Sequence, residues 1–100
     1  MREMKRCPSH PGEILQELYL KPLKLTMTKL AQSIGVSRKH ISSIINGHFG
    51  VTPDIALRLA KAFNTTPKMW LDLQLNHDLW IAKQSANLDA IPALYEVAPV

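Results

Sequence analysis

The amino-acid sequence predicts an all-α fold of five helices. Apolar residues recur at three- and four-residue intervals through most of the chain, and no segment sustains the two-residue alternation of a half-buried strand. Cap, proline and glycine signals cut this pattern into helix-sized pieces. At 100 residues the chain has the length of one domain with a modest core, too small for a catalytic cleft between separate lobes.

The first helix is expected to start at Pro11-Gly12, with Glu13 in its first turn where a carboxylate meets the positive helix end. It carries Ile14, Leu15, Leu18 and Tyr19, and Pro22 is expected to end it. Thr28 is the expected N-cap of the second helix, whose inner face is Leu30, Ala31 and Ile34 and whose left-handed stop is Gly35. Ser37 caps a third helix that turns Ile41, Ile44 and Ile45 inward and closes at Asn46-Gly47. Thr52-Pro53-Asp54 supplies cap, first-turn proline and first-turn carboxylate for a fourth, which offers Ile55, Leu57, Leu59, Ala60 and Phe63 to the core and ends at Asn64. Thr66-Pro67 repeats the signal and opens the fifth, "PKMWLDLQLNHDLWIAKQ". The tail "SANLDAIPALYEVAPV" contains Pro92 and Pro99 and has no dependable period. The organisation is therefore an N-terminal arm over 1–10, a helical domain over 11–84 and a C-terminal tail over 85–100.

The balance of 46% hydrophobic residues is that of a folding chain. The formal charge is +4, and its distribution carries more than its size. From residue 18 to residue 53 there is no Asp or Glu, while Lys21, Lys24, Lys29, Arg38 and Lys39 all fall inside. From Met69 onward Asp72, Asp78, Asp89 and Glu96 stand against Lys83 alone. One part of the chain suits a polyanion and the other does not. The lone Cys7 cannot form an internal disulfide, no apolar run is long enough to cross a bilayer, and the N-terminus lacks the apolar stretch of a signal peptide, so a cytoplasmic location is expected.

The acid-free segment "MTKLAQSIGVSRKHISSIINGH" has what a helix-turn-helix needs. Ala31 is small enough for a close helix crossing, Gly35 makes the turn, Leu30 and Ile34 hold the first helix, and Val36, Ile41 and Ile44 hold the second. Ser37, Arg38, Lys39, Ser42 and Ser43 fall on the side away from the isoleucines, and Arg, Lys and Ser at the start of such a helix reach base edges and phosphates in a major groove. Lys29, Thr28 and Asn46 are expected at phosphates. The plainer reading is a basic face that is merely solvated.

In the fifth helix Trp70, Leu73, His77 and Trp80 form one stripe, and Leu71, Leu75, Leu79 and Ala82 a second. The helix is apolar around more of its circumference than one core contact requires, so a homodimer interface is expected here, at Trp70, Leu73, His77 and Trp80. The alternative is that both stripes are buried within one protomer.

Other chemistry finds little support. Cys7 and His10 have a C-x-x-H spacing, but His40, His48 and His77 fall on other helices, and no metal site is expected. Cys7 reads as an incidental thiol in a mobile arm. Glu13 and Glu17 are explained by a first-turn charge and a solvated face, His40 can meet phosphate, core edge or water, and no G-x-x-x-x-G-K phosphate cradle exists. No cofactor and no catalytic activity are expected.

With these residues in place, "MTKLAQSIGVSRKHISSIINGHFGVTPDIALRLAKAFNTTPKMWLDLQ" resembles the Xre/lambda-repressor type of helix-turn-helix domain. The flanks "HPGEIL" and "MWLDLQLNHDLW" resemble the HigA-type antitoxins of bacterial toxin-antitoxin modules, and the likeness covers residues 8–82. The resemblance implies a five-helix fold and a homodimer on a palindromic operator in the module's own promoter. It also implies a HigB-type, RelE-like ribonuclease toxin as protein partner. It maps the reading helix onto Ser37 to Ile45 and the supporting helix onto Thr28 to Ile34. An Xre-family regulator without a toxin is the alternative it leaves.

Overall fold

The hydroxyl-then-proline and hydroxyl-then-apolar junctions of the sequence become helix starts in the computed structural model, which describes residues 6–95. Among these residues five helical rods are present and no strand. The first, α1, is a composite: an α turn Pro11–Ile14, a π segment Leu15–Leu20 and a final α turn Lys21–Leu23. The others are α2 (Met27–Ile34), α3 (Arg38–Ile45), α4 (Pro53–Phe63) and α5 (Pro67–Ser85).

Two sequence expectations for this region need correction. Pro22 does not end α1, which runs on to Leu23. The wide turn explains why: Lys21 N–H already bonds back to the Gln16 carbonyl, five residues earlier, so the helix is open beneath the proline ring and asks no N–H of it. Lys24, left-handed at φ 53°, makes the actual stop, with Leu25 N–H on the Leu20 carbonyl at 2.9 Å. Nor is Thr28 the cap of α2. Thr26 is, its Oγ1 accepting the Lys29 N–H at 3.0 Å, and Thr28 lies inside the first turn. Both threonines precede an apolar run, but only Thr26 is extended and three residues ahead of an open N–H.

The remaining caps stand where expected. Ser37, Thr52 and Thr66 each accept from the backbone three residues on, and Pro53 and Pro67 occupy first-turn positions. Gly35 (φ 78°) and Asn64 (φ 55°) are the left-handed stops. A cap that the sequence reading did not identify is His10, whose Nδ1 accepts the Gly12 N–H at 2.9 Å.

The core joins all five rods. Leu15, Leu30, Ile41, Ile44, Ala56 and Leu59 are sealed from solvent, and Trp70 fills the space beneath them. Its ring lies 5.3 Å from Tyr19 and 6.5 Å from Phe63, and its Nε1 donates to Thr65 Oγ1 at 2.8 Å, so the one polar atom is satisfied. Leu57, expected in the core, is 60% exposed. The inner stripe of α4 is Ile55, Ala56, Leu59 and Ala60, and a residue two positions from Ile55 falls on the far side of a 3.6-residue turn.

Gly12 fixes the crossing of α1 over α3. A Cβ there would strike the Ile44 carbonyl oxygen and stand 2.8 Å from Ile45 Cα, both backbone atoms with nowhere to yield. Gly12→Ala is expected to destabilise the fold by about 2 kcal/mol through overpacking, read as a lower denaturation midpoint at unchanged m-value. An unchanged midpoint would mean that this crossing opens freely.

Candidate nucleic-acid interface

α2, the Gly35 turn and α3 form the helix-turn-helix, and neighbouring elements lock its position. Arg58 of α4 donates through Nη1 to the Ile34 carbonyl at 2.7 Å, closing the C-terminus of α2, while its Nε holds Asp54 at 3.0 Å. Beyond α3, Gln74 of α5 accepts the Val51 N–H at 2.7 Å. The loop after the reading helix is thus tied to the longest helix of the domain.

On this frame Ser37, Arg38 and Lys39 are exposed on the first turn of α3, and Asn46 is exposed at its end. Ser42 and Ser43 are half-buried. Asn46 Nδ2 lies 3.4 Å from Ser42 Oγ, and the Ser43 carbonyl accepts from both His48 and Phe49. Lys29 is exposed on α2. Thr28, though not a cap, is also exposed, and it lines a shallow groove with Arg38, Gln16 and Lys21, so the helix crossing brings it beside the start of α3. The eight residues expected at DNA therefore share one side of the α2–α3 unit.

The electrostatics of that side are one-sided. Lys21 is paired with Glu17 at 2.9 Å, but among the described residues no carboxylate pairs with Lys29, Arg38 or Lys39. Three uncompensated cations beside a capped helix start form a surface with no preferred partner inside the protein and a strong one in a phosphate backbone. His40 takes the core-edge option: half-buried, it stacks on Phe49 with ring centroids 5.7 Å apart and planes 11° off parallel. Phe49 was not singled out in the sequence, where a phenylalanine in a loop carries no periodic signal.

The stripe expected at a dimer interface is mostly turned inward. Trp70 is fully buried in its own protomer, and Leu73 and His77 are half-buried against the core and the arm. Of the four, Trp80 alone lies beyond the packed half of α5, half-buried among exposed Leu75, Leu79 and Ile81. The cause is the volume of Trp70, which α1 and α4 enclose from both sides.

The arm corrects a second expectation, because residues from Cys7 onward are docked rather than loose. His77 Nδ1 donates to the Pro8 carbonyl at 2.8 Å, Cys7 Sγ lies 3.4 Å from the same nitrogen, and the His10 and His77 rings meet edge to face at 5.1 Å. Burial holds His10 below the ordinary value of 6.5, with the His77 charge acting the same way against weaker opposition from Asp78 and Glu13. A neutral ring is what its Nδ1 needs to accept from Gly12. These groups are occupied as latch and cap, and no cluster of three or more described His, Cys, Asp or Glu side chains is arranged to hold a metal ion. No described helix is long and apolar enough to cross a membrane. Residues 1–5 of the arm and 96–100 of the tail, where Glu96 and Pro99 lie, fall outside the described residues.

Comparison with known proteins agrees with this geometry. The Helix-turn-helix family HTH_3 matches residues 16–70. An HTH-type transcriptional regulator of Haemophilus influenzae is 48% identical over 77 residues, covering 77% of this chain and 72% of that one. The antitoxin HigA-1 of Vibrio cholerae is 41% identical over 80 residues, covering 80% of this chain and 75% of its own. Among solved structures, the Pseudomonas aeruginosa antitoxin HigA with the higBA promoter superposes at a TM-score of 0.78 with 31% identity, covering 93% of this chain and 98% of that one.

Proposed function

The chain belongs to the Xre-type helix-turn-helix family that includes the HigA antitoxins, and from that premise we propose that it is an antitoxin and transcriptional autorepressor. It binds operator DNA as a dimer and neutralises a HigB-type, RelE-like ribonuclease toxin. It acts in the cytoplasm by occupancy and sequestration, with no catalytic step of its own and no cofactor.

The observation that carries this reading is the outward side of α3, where Ser37, Arg38 and Lys39 are exposed and no carboxylate answers the cations. Phosphate contacts from Lys29, Arg38, Thr28 and the Ser37-capped helix start supply most of the affinity, and side chains from the reading helix choose the sequence. One α3 reads only a few base pairs. Two copies related by a two-fold axis, with reading helices about 34 Å apart, give a palindromic operator of useful specificity. The acid-leaning side of the chain is left for contacts other than DNA.

The dimer contact lies at the outer half of α5, where Leu75, Leu79 and Ile81 are about half exposed beside Trp80. Trp80→Ala is expected to weaken dimerisation about tenfold in sedimentation experiments and to leave the helical content of the protomer unchanged, since truncating a partner-facing aromatic costs on the order of 1–2 kcal/mol. Loss of helical signal at low temperature would place Trp80 in the core instead.

The function is tested by co-purifying the untagged protein with the product of the adjacent small open reading frame. The complex is then bound to its own upstream DNA across a salt series. A stable complex whose DNA affinity falls steeply with salt supports the reading. DNA binding with no partner leaves an Xre-type autoregulator, and neither result overturns both.

A further inference from the structure

Phe49 is a large apolar side chain left 56% exposed beside a face built for a polyanion. It is also held in place. The Ser43 carbonyl accepts the N–H of His48 at 2.8 Å and of Phe49 at 3.2 Å, which folds the loop back over the last turn of α3. The Phe49 ring then lies nearly parallel to His40 at 5.7 Å. His40 is itself fixed, half-buried in α3, and its Nε2 is buried with no hydrogen-bond partner among the described residues. A ring kept there without satisfying that nitrogen is kept for its packing, and what it packs is Phe49.

The position of the pair follows from helix geometry. Lys39 and Ser43 are four residues apart and share the outward row of α3, while His40 is three residues before Ser43 and borders that row. A ring lying over His40, with its backbone bonded to Ser43, stands at the rim of the outward face. Lys39 is one turn closer to the helix start.

We infer that Phe49, braced by His40, is a specificity-determining residue of this repressor that reads the C5-methyl group of one thymine in each operator half-site. The inference rests on the operator-binding function proposed above and adds a base contact to it. The chemistry is selective because the methyl group is the only apolar feature that a base pair shows in the major groove, and only thymine carries it. A hydrogen-bonding side chain cannot discriminate on that group, and a braced aromatic ring can. The bracing matters because a loop phenylalanine free to rotate would lose conformational entropy on binding that would offset a contact as small as one methyl.

The test uses the intact protein and its own upstream DNA, with each thymine of the footprint replaced in turn by deoxyuridine, which removes the methyl and nothing else. For the natural sequence, one symmetry-related pair of positions is expected to lose about fourfold in affinity per methyl, the worth of one buried methyl or methylene group. Phe49→Ala is expected to weaken binding to the unmodified duplex by a similar factor and to abolish the deoxyuridine sensitivity, whereas Phe49→Leu retains part of it. Because Phe49 is mostly exposed, Phe49→Ala should fold normally, and its circular dichroism should match the parent. His40→Ala, which removes the brace, is expected to blunt the sensitivity without moving it to another position.

Salt-dependent DNA binding that tolerates deoxyuridine everywhere overturns the inference and leaves the repressor function standing. So does a sensitivity that persists in Phe49→Ala. If Phe49→Ala spares DNA binding and instead breaks co-purification with the neighbouring gene product, the ring is a protein contact and the inference fails on that ground. Absence of any salt-dependent binding to the upstream DNA removes the repressor function and this contact with it.

Discussion

Trp70→Ala is expected to lower the stability of the protomer by about 4 kcal/mol, the usual range for emptying a large aromatic site in a core. The side chain is wholly buried, touches Tyr19 and Phe63, and bonds Thr65 through its only polar atom. A domain of this size has only about 5–15 kcal/mol in total, and a loss of this order corresponds to a fall in Tm of about 20 °C. The damage spreads toward the DNA face. α5 carries Gln74, which accepts the Val51 N–H, so loosening the base of α5 frees the loop behind the reading helix. Trp70→Phe separates the two contributions, because it keeps the apolar ring and loses the Thr65 hydrogen bond at a cost of about 1 kcal/mol plus the difference in volume. Thermal and chemical denaturation give both values. If Trp70→Ala instead left the melt in place and dissociated a dimer, the tryptophan would belong to a subunit interface and the packing described above would be wrong.

How far the sequence speaks for itself is seen by comparing Ser37 with Thr28. Ser37 follows the turn glycine and precedes a helix start directly, and its capping role was readable from local chemistry. Around Thr28 the chain offers two hydroxyls two residues apart, and propensity alone does not choose between them. The choice falls to Thr26 because Lys24 has already turned the chain left-handed, a consequence of the π segment that no residue type announces. Pro22 fails as a stop signal for the same reason. The apolar stripes of α5 show a different limit: their spacing identifies a helix with two apolar faces, but which face is inward depends on where α1 and α4 arrive. The latch of Cys7, Pro8 and His77 and the stack of His40 on Phe49 join residues 69–70 and 9 positions apart across loops. Such contacts have no period and leave no local trace. The DNA face was legible because it depends on neighbours along one helix, where three- and four-residue spacing alone decides what points outward.

Arg38→Ala combined with Lys39→Ala is expected to weaken operator binding about 100-fold at moderate salt and to reduce the slope of log affinity against log salt by about two, one for each cation lost. Both side chains are exposed and unpaired, so neither substitution removes an internal contact, and the melt of the double variant should overlay the parent. The single variants should differ in kind. Arg38 borders the groove shared with Thr28 and Lys21, at the flank of α3 nearest α2, where a guanidinium meets backbone phosphate. Lys39 shares the central outward row with Ser43, where it meets base edges. Arg38→Ala should therefore lower affinity for operator and unrelated duplex by similar factors, while Lys39→Ala should cost more on the operator and narrow the ratio between the two. Fluorescence anisotropy with matched duplexes across a salt series measures both quantities. Affinity and slope unchanged in the double variant would remove α3 from the DNA. A loss confined to the slope, equal for both duplexes in both single variants, would keep α3 at the DNA and assign sequence choice to Ser42, Ser43, Asn46 and Phe49.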